Sequence, residues 1–267
     1  MILNHVVEGP SGADANGGNA GGNPAKRVLL LHPVGIDLTF LGGLSAALAK
    51  GFRVMRMDLR GHGASPMLPA ASTLDEFAAD VHETLAYTNF APCTVIGFSF
   101  GGMVAQALAI NHPADLTALV PCACPCTQTP EARPRVAARG TDALAGGMAA
   151  VLEATLERWF NAPFQAAGGD AGARKHLSES DPRGWAQGWA AISQIDTLPR
   201  LPALRLRTHC IAGELDKSSP PAAVKMIADA IPGATFKVLP GAPHMLFIEQ
   251  PDQVAAEILA FLGTLET

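Results

Sequence analysis

No stretch of the sequence approaches the roughly 20 consecutive apolar residues that a membrane-spanning helix requires. The first residues also lack the basic start and the apolar run of a secretory signal. Charged residues make up only 16% of the 267 positions, the net charge is −5, and no long run carries charges of one sign. These absences argue against nucleic acid or a membrane as a partner. We therefore expect a cytoplasmic protein, in which a hydrophobic fraction of 48% is ample for a buried core.

Cysteine is scarce and odd in number. The five residues are Cys93, Cys122, Cys124, Cys126 and Cys210, which favours reduced thiols over a disulfide framework. The close spacing of Cys122, Cys124 and Cys126 raises the alternative of a metal site. Zinc sites usually draw their ligands from two separated pairs, however, and the sequence has no matching second cluster. We expect no metal here, and we interpret the three cysteines as small apolar residues.

Apolar runs typical of strands alternate with segments of helical spacing. Strands are expected near the N-terminus and at Val28–His32, Phe52–Asp58, Thr94–Phe98, Leu116–Cys122, Leu206–Ala212 and Thr235–Leu239, and helices at Leu38–Lys50, Leu74–Tyr87, Gly101–Asn111, Ala222–Ile231 and Gln253–Leu262. Residues 11–25 are rich in Gly, Asn and Ala and are expected to form a long flexible turn. The alternation predicts an α/β fold with a mostly parallel sheet flanked by helices.

The alternation stops over residues 125–200, which contain helical stretches, no convincing strand and all three tryptophans. We expect this segment to be a helical cap, inserted after the sixth strand, with residues 1–124 and 201–267 forming the core. Open α/β sheets bind ligands at the carboxyl ends of their strands. A cap over that edge would select the ligand.

The segment Gly97–Gly102, which reads GFSFGG, lies between a predicted strand and a predicted helix. A Gly-x-Ser-x-Gly sequence in this context is typical of a nucleophile elbow, in which the serine occupies a sharp, strained turn. Side chains at positions 97 and 101 would collide with neighbouring backbone. Ser99 is therefore the candidate nucleophile.

A serine hydroxyl is a poor nucleophile until a base accepts its proton. Asp216 follows the predicted strand Leu206–Ala212, and His244 follows the predicted strand Thr235–Leu239. The order Ser, Asp, His is that of a hydrolase triad with His244 as general base and Asp216 as its orienting acid. Glu214 is the competing acid, and Asp216 could instead cap the helix that follows it.

An oxyanion hole requires two backbone donors directed at the developing negative charge. One is expected to be the N–H of Phe100, the residue after the nucleophile. The other is expected to come from the loop after strand Val28–His32, and we assign it to the N–H of Val34.

These motifs resemble those of α/β-hydrolases, and most closely those of 3-oxoadipate enol-lactonases and related carboxylic-ester hydrolases. The matching segments are His32–Gly35, Met57–Ser65, Gly97–Gly102, Gly213–Asp216 and Gly241–His244 in the core and Gly146–Ala150, Leu156–Phe160, Ser180–Gly184 and Ala190–Ile192 in the cap. The resemblance implies the α/β-hydrolase fold and hydrolysis of a small ester or lactone through an acyl-enzyme on Ser99, without metal or organic cofactor. Pro33 departs from the commoner His-Gly start of the oxyanion loop, and it removes a donor and restricts φ.

The cap contains eight basic and eight acidic residues, so its composition alone does not indicate an anion trap. A single buried arginine can still bind a carboxylate. Candidate substrate contacts are Trp159, Arg133 and Arg158, with Arg135 as a further candidate. Trp185 and Trp189 either line the pocket or hold the cap onto the core.

Several alternatives share the same triad. They are a broad-specificity carboxylesterase, a C–C bond hydrolase and a perhydrolase. Dehalogenases and epoxide hydrolases are disfavoured because they use an aspartate where this chain has Ser99. Outside the enzymes, a small-molecule receptor would need no working nucleophile elbow. The expected partner is a small-molecule substrate, and the protein is expected to be a monomer or a homodimer.

Overall fold

The computed structural model describes residues 1–10, 26–68 and 73–265. The turn expected at residues 11–25 lies outside these ranges. The described residues form a seven-stranded sheet with the order β1-β3-β2-β4-β5-β6-β7. Its strands are β1 (His5–Glu8), β2 (Arg27–Leu31), β3 (Arg53–Met57), β4 (Cys93–Phe98), β5 (Leu116–Cys122), β6 (Arg207–Gly213) and β7 (Thr235–Leu239). Only β1 pairs in the antiparallel sense, with β3, so the expected mostly parallel sheet is confirmed.

The core helices follow the strands as the alternation predicted, except that the short helix Leu246–Glu249 was not predicted. They are α1 (Gly42–Leu48), α2 (Leu74–Tyr87), α3 (Phe100–Asn111), α9 (Pro221–Ala230), α10 (Leu246–Glu249) and α11 (Pro251–Gly263). The single helix expected at Leu38–Lys50 is divided, because residues Leu38–Leu41 form a tighter 3-10 turn before α1. The carboxylate of Asp37 accepts the N–H of Thr39 at 2.9 Å and caps that turn. None of the helices in the described ranges is long and apolar enough to cross a membrane.

The centre of the sheet forms the core of the protein. Every residue of β4 is buried, and β2 is buried from Val28 onward. Strands covered on both faces read as continuous apolar runs, as both of these do. Helix α3 is also buried along most of its length, from Phe100 to Ala109. The strand–helix junction at Ser99 is therefore held between two rigid, buried elements.

Five helices lie between β5 and β6. They are α4 (Arg133–Gly146), α5 (Leu152–Trp159), α6 (Ala162–Ala166), α7 (Ala171–Glu179) and α8 (Pro182–Ser193). The insertion follows the fifth strand of the described sheet, so the expectation of a sixth is corrected. The reason is that only β1 precedes β2 among the described residues, and the described part of the β3–β4 connection contains α2 but no strand. An antiparallel bridge between Thr127 and Asp196 joins the two ends of the insertion.

Candidate active site

Ser99 is the single residue between β4 and α3. Its φ of 51° and ψ of −114° are an unusual combination for a residue with a side chain. Two buried elements hold this conformation, because the N–H of Ser99 donates to the carbonyl oxygen of Cys122 on β5 at 2.8 Å and its own carbonyl accepts from Met103 on α3 at 3.1 Å. Strain retained in this way is typical of functional positions.

The glycines around Ser99 are required by close backbone packing. A Cβ atom on Gly97 would lie 2.2 Å from the carbonyl oxygen of Gly101. A Cβ atom on Gly101 would lie 2.4 Å from the carbonyl oxygen of Leu31. Both distances are far below van der Waals contact. The structure therefore supports the steric argument made from the sequence for these two positions.

Ser99, His244 and Asp216 form a continuous hydrogen-bonded chain. The distance from Ser99 Oγ to His244 Nε2 is 2.9 Å, and the distance from His244 Nδ1 to Asp216 Oδ2 is 2.8 Å. The three residues are only 7%, 4% and 4% exposed, respectively. Water therefore competes little for these hydrogen bonds.

The two partners of Ser99 meet because neighbouring parallel strands end together. In the β6–β7 ladder, Gly213 is paired with Leu239, so the loops carrying Asp216 and His244 leave the same edge. The remaining oxygen of Asp216, Oδ1, accepts the backbone N–H groups of Ser218 at 2.7 Å and Ser219 at 2.8 Å. These two bonds fix the carboxylate in a position to orient the imidazole.

Glu214, the alternative acid, has a different partner. Its Oε2 accepts the backbone N–H of Gly241 at 2.7 Å, and its side chain is exposed. Among the described residues, the carboxylate bonded to His244 is that of Asp216. Glu214 instead connects the two loops that carry Asp216 and His244.

Two backbone N–H groups are available beside Ser99. Phe100 is the first residue of α3, so its N–H has no acceptor within the helix. Val34 lines the same cavity as Ser99. Within the described ranges, neither N–H donates a hydrogen bond to another protein group. The assignment of these two N–H groups to an oxyanion hole stays a prediction.

Ser99 and His244 open into a cavity of about 580 Å³. Its apolar lining includes Val34, Met103, Val136, Val151, Trp159, Trp189 and Ile192, and its charged lining consists of Arg135, Arg139, Arg158, Lys217 and Asp142. Four cations thus face one carboxylate. The guanidinium of Arg139 lies 4.5 Å from the ring centroid of Trp189. Burial, with the nearby charges of Arg158 and Arg135, lowers the pKa of Arg139 to about 10, so it stays cationic at neutral pH.

The predicted substrate contacts divide into two groups. Trp159 and Arg158 line the cavity, whereas Arg133 does not. Arg133 lies on the face of α4 that continues, at helical spacing, through Ala137, Gly140 and Leu144, and those three residues line a separate groove.

Arg139 and Lys217 also line the cavity, although the sequence pattern did not identify them as substrate contacts. The spacing of Arg135, Arg139 and Asp142 places them on one helical face, a signal that could have identified Arg139. No comparable pattern marks Lys217, which reaches the cavity from the loop after Asp216.

Trp185 and Trp189 differ in whether they line the cavity. Trp189 lines the cavity, but Trp185 is buried outside it and donates its indole N–H to the carbonyl of Arg139 at 2.8 Å.

All five cysteines are buried free thiols. Burial raises the pKa of Cys126 to about 11 and that of Cys210 to about 12, which makes these thiols poor ligands and nucleophiles.

This fold, with a serine elbow and its hydrogen-bonded chain at the carboxyl edge of the sheet, defines an α/β hydrolase. The chain belongs to the alpha/beta hydrolase fold family, whose model matches residues 27–251. The chain is 29% identical over 250 residues to a pimeloyl-acyl-carrier-protein methyl ester esterase of Aeromonas hydrophila, covering 88% of this chain and 95% of the relative. It is 24% identical over 244 residues to 3-oxoadipate enol-lactonase 1 of Acinetobacter baylyi, covering 91% and 90%.

A solved structure supports the same placement. The crystal structure of the enol-lactonase from Burkholderia xenovorans LB400 matches this chain with a TM-score of 0.88 and 28% identity, covering 98% of this chain and 96% of that one. The resemblance to enol-lactonases expected from the motifs is thus confirmed, and the chain is an esterase-type α/β hydrolase.

Proposed function

We propose that the protein is a serine hydrolase that cleaves a small carboxylic ester or lactone through an acyl-enzyme. The observation that carries this proposal is the hydrogen-bonded chain from Ser99 through His244 to Asp216, beside a cavity that Ser99 and His244 line. A nucleophile, a base within reach of it and a group that orients the base are the parts this chemistry needs.

In the proposed reaction, Ser99 Oγ attacks the ester carbonyl carbon as His244 Nε2 accepts the hydroxyl proton. The negative charge on the carbonyl oxygen is stabilised by the N–H groups of Val34 and Phe100. The intermediate collapses when His244 returns the proton to the leaving alkoxide, which leaves the acyl group on Ser99. Water, activated by His244, then releases the acid and restores the serine. Throughout, the carboxylate of Asp216 accepts the hydrogen bond from the Nδ1–H of His244 and stabilises the imidazolium.

The charges of the cavity favour a substrate with its own negative charge. Arg135, Arg139, Arg158 and Lys217 outnumber Asp142 around the space above Ser99. Guanidinium groups bind carboxylates through strong, directional hydrogen bonds. 3-Oxoadipate enol-lactone, which carries one free carboxylate, has both the ester bond and the charge, and it is the substrate that the name of one relative indicates.

A second candidate is a methyl ester at the end of an acyl chain carried on a protein. The name of the Aeromonas hydrophila relative indicates such a substrate. Arg135 and Lys217 are exposed residues of the cavity lining, where an acidic carrier could contact them. The two candidate substrates would be cleaved by the same triad and differ in the leaving group, which is a ring oxygen in the lactone and methanol in the methyl ester.

We further propose that residues 125–200 act as a cap that selects the substrate. Most of the residues that line the cavity belong to this segment, and the largest contributions come from α4 and α5. The core alone provides the reacting groups. Exchange of the cap between relatives is therefore expected to change substrate preference and to leave the triad intact.

The test combines active-site labelling with a substrate panel. A fluorophosphonate probe should label Ser99 in the wild type and should not label Ser99→Ala. The panel contains 3-oxoadipate enol-lactone, monomethyl pimelate, its acyl-carrier-protein conjugate and neutral p-nitrophenyl acetate. A kcat/KM of about 10⁴ M⁻¹s⁻¹ or more for one anionic substrate would identify it as the natural type. Hydrolysis of the neutral ester alone would support a broad carboxylesterase. Labelling of Ser99 without hydrolysis of any ester would favour a C–C bond hydrolase or a perhydrolase. Absence of labelling in the folded wild type would favour a small-molecule receptor.

A further inference from the structure

His32 is fully buried at the end of β2, and both of its ring nitrogens have hydrogen-bond partners. The backbone N–H of Leu59 donates to Nε2 at 2.8 Å. Because a backbone N–H is only a donor, Nε2 must carry the lone pair of the neutral ring. The proton is therefore on Nδ1, which donates to the carbonyl oxygen of Pro33 at 2.7 Å.

That carbonyl belongs to the same peptide group as the N–H of Val34. A trans peptide group is planar, so its C=O and N–H point in opposite directions. The bond from His32 fixes the oxygen on one side, and the N–H of Val34 is thereby directed to the other. Val34 lines the cavity beside Ser99.

We propose that His32 is a positioning residue that sets the direction of the oxyanion donor on Val34. The proposal rests on the proposed function, because it assumes that this N–H stabilises negative charge in the reaction. A donor that is already oriented costs no reorganisation when the charge develops. A hydrogen bond to the carbonyl also polarises the peptide group, which strengthens its N–H as a donor.

The surroundings keep His32 neutral and immobile. Burial lowers the pKa of His32 to about 4, so the neutral ring persists at the pH of ordinary assays. The ring of His62 packs against it at a centroid distance of 5.3 Å. Leu59 follows Asp58, whose carboxylate accepts the N–H groups of Leu38 at 2.8 Å and Ala64 at 2.9 Å. The glycine-rich loop at residues 58–65 thus acts as a rigid support for His32.

Two substitutions separate positioning from general stability. His32→Leu removes both hydrogen bonds. In His32→Asn, the side-chain amide can still donate to Pro33, although the N–H of Leu59 loses its acceptor. His209→Asn is the matched control, since His209 is also a buried histidine with two partners, Thr235 and Glu257. It lies in the amino-terminal half of β6, away from the carboxyl edge of the sheet that carries Ser99.

We expect His32→Leu to lower kcat by on the order of 10²-fold with little change in KM, as loss of an oxyanion donor does. His32→Asn should recover a large part of kcat, and His209→Asn should leave it unchanged. A trifluoromethyl ketone, which forms an oxyanion adduct with the serine, should lose affinity in parallel with kcat. Unchanged kcat and inhibitor affinity in folded His32→Leu would overturn the proposal, as would a rise in KM alone. If His32→Leu does not fold, His32→Ala, which also cannot donate to Pro33, takes its place: parallel losses of kcat and inhibitor affinity support the proposal, and unchanged values overturn it. Fluorophosphonate labelling of the wild type tests the serine mechanism separately, so a failure of the proposed function is distinguishable.

A different observation carries a second inference at the opposite end of α3. His82 on α2, His112 at the C-terminal end of α3 and Asp115 on the following 3-10 turn come together there, and one potential ligand atom from each lies within 4.8 Å of the others. The imidazole rings are stacked, with centroids 3.9 Å apart, and His82 Nδ1 lies 2.6 Å from Asp115 Oδ2. All three residues are partly exposed, so an ion could reach them from solvent.

The geometry points to a binding site for a divalent transition metal ion such as Zn²⁺, with water completing its coordination. Imidazole nitrogen and carboxylate oxygen are common zinc ligands. A tetrahedral ion holds its ligand atoms roughly 3.3 Å apart at bond lengths of about 2.0–2.1 Å. Because the two imidazoles are stacked with an interplanar angle of 10°, one ring must turn about its side-chain torsions before both nitrogens can point at one ion.

The ion would join α2 to the end of α3 and stabilise the fold without entering the reaction. Helix α3 has 12 residues, which places this cluster about 18 Å from the Ser99 end. We expect Zn²⁺ added to tag-free protein to raise Tm and to bind with micromolar affinity in calorimetry. His112→Ala and Asp115→Asn should weaken binding at least tenfold, whereas His5→Ala, on edge strand β1, should not. Ester hydrolysis should be unchanged by a chelator. Equal Zn²⁺ binding by His112→Ala and the wild type would overturn this assignment. So would the absence of binding by the wild type at about 1 mM Zn²⁺.

Discussion

Met245, the residue after His244, donates its backbone N–H to the carbonyl oxygen of Trp159 at 3.0 Å. Trp159 is the last residue of α5, so this bond connects the inserted helices to the loop that carries the proposed base. The next polar residue, Asn161, strengthens the connection. Its Nδ2 donates to the carbonyl of Gly241 at 3.0 Å and to Glu249 Oε1 at 2.8 Å. The position of His244 therefore depends on the inserted segment as well as on β7.

Replacement of Asn161 by alanine tests this dependence. Loss of both side-chain bonds should loosen the loop at Gly241–His244, and small displacements of a reacting group are costly. We expect Asn161→Ala to lower kcat by roughly tenfold, with a smaller effect on Tm. Asn111→Ala is the control, because Asn111 bonds Asp75 on the outer surface and does not line the cavity. Equal kcat values in the two variants would show that the connection does not position His244.

The arginines of the cavity should decide between charged and neutral substrates. Arg139→Gln and Arg158→Gln are each expected to raise KM for a carboxylate-bearing ester by about tenfold, since a charge-assisted hydrogen bond contributes roughly 1.5–3 kcal/mol. Neither change should affect p-nitrophenyl acetate. Arg205→Gln, an exposed arginine outside the cavity lining, provides the control. A parallel rise in KM for the neutral ester would contradict recognition of charge.

The glycine at position 97 should tolerate no side chain. The Cβ atom in Gly97→Ala would meet the carbonyl oxygen of Gly101 at 2.2 Å, so backbone must shift. We expect a loss of about 1–3 kcal/mol in the free energy of unfolding, together with loss of labelling at Ser99. Gly43→Ala, in α1, has open space around its Cβ atom and should be neutral or stabilising by up to about 1 kcal/mol. Urea unfolding of both variants makes the comparison.

Two buried histidines should make the fold sensitive to acid. Burial lowers the pKa of His32 to about 4 and that of His62 to about 3. The histidines of the unfolded chain have a pKa near 6.5, so below about pH 6.5 the unfolded chain binds protons that the folded protein does not. The free energy of unfolding should therefore decrease as the pH falls from about 6.5 toward 4, by on the order of 3 kcal/mol for His32 alone.

The measurement is the urea midpoint between pH 7.5 and 4.5. His62→Gln removes one of the two titrating groups and should show a shallower loss of stability than the wild type. His5→Gln, on strand β1, is the matched histidine control. The same slope in His62→Gln and the wild type would mean that other groups determine the acid sensitivity.

Much of the scaffold could be predicted from local sequence. The segments Leu74–Tyr87, Leu116–Cys122 and Thr235–Leu239 were predicted with the bounds that α2, β5 and β7 have in the structure. A strand that is buried on both faces must be continuously apolar, and a covered helix must repeat its apolar residues every three or four positions. The elbow at Ser99 could also be predicted from the local sequence, because only glycine fits at positions 97 and 101.

The sequence by itself determined the parallel α/β sheet and the order of Ser99, Asp216 and His244, because both follow from short-range pattern. It favoured Asp216 as the acid but left Glu214, two residues away, as an alternative. The tertiary structure decided that choice through the β6–β7 register and the two N–H groups that hold Asp216. In the tertiary structure, Arg139 and Lys217 line the cavity and Arg133 does not. Which face of a helix meets a cavity depends on the packing of distant segments, and local periodicity carries no information about that packing.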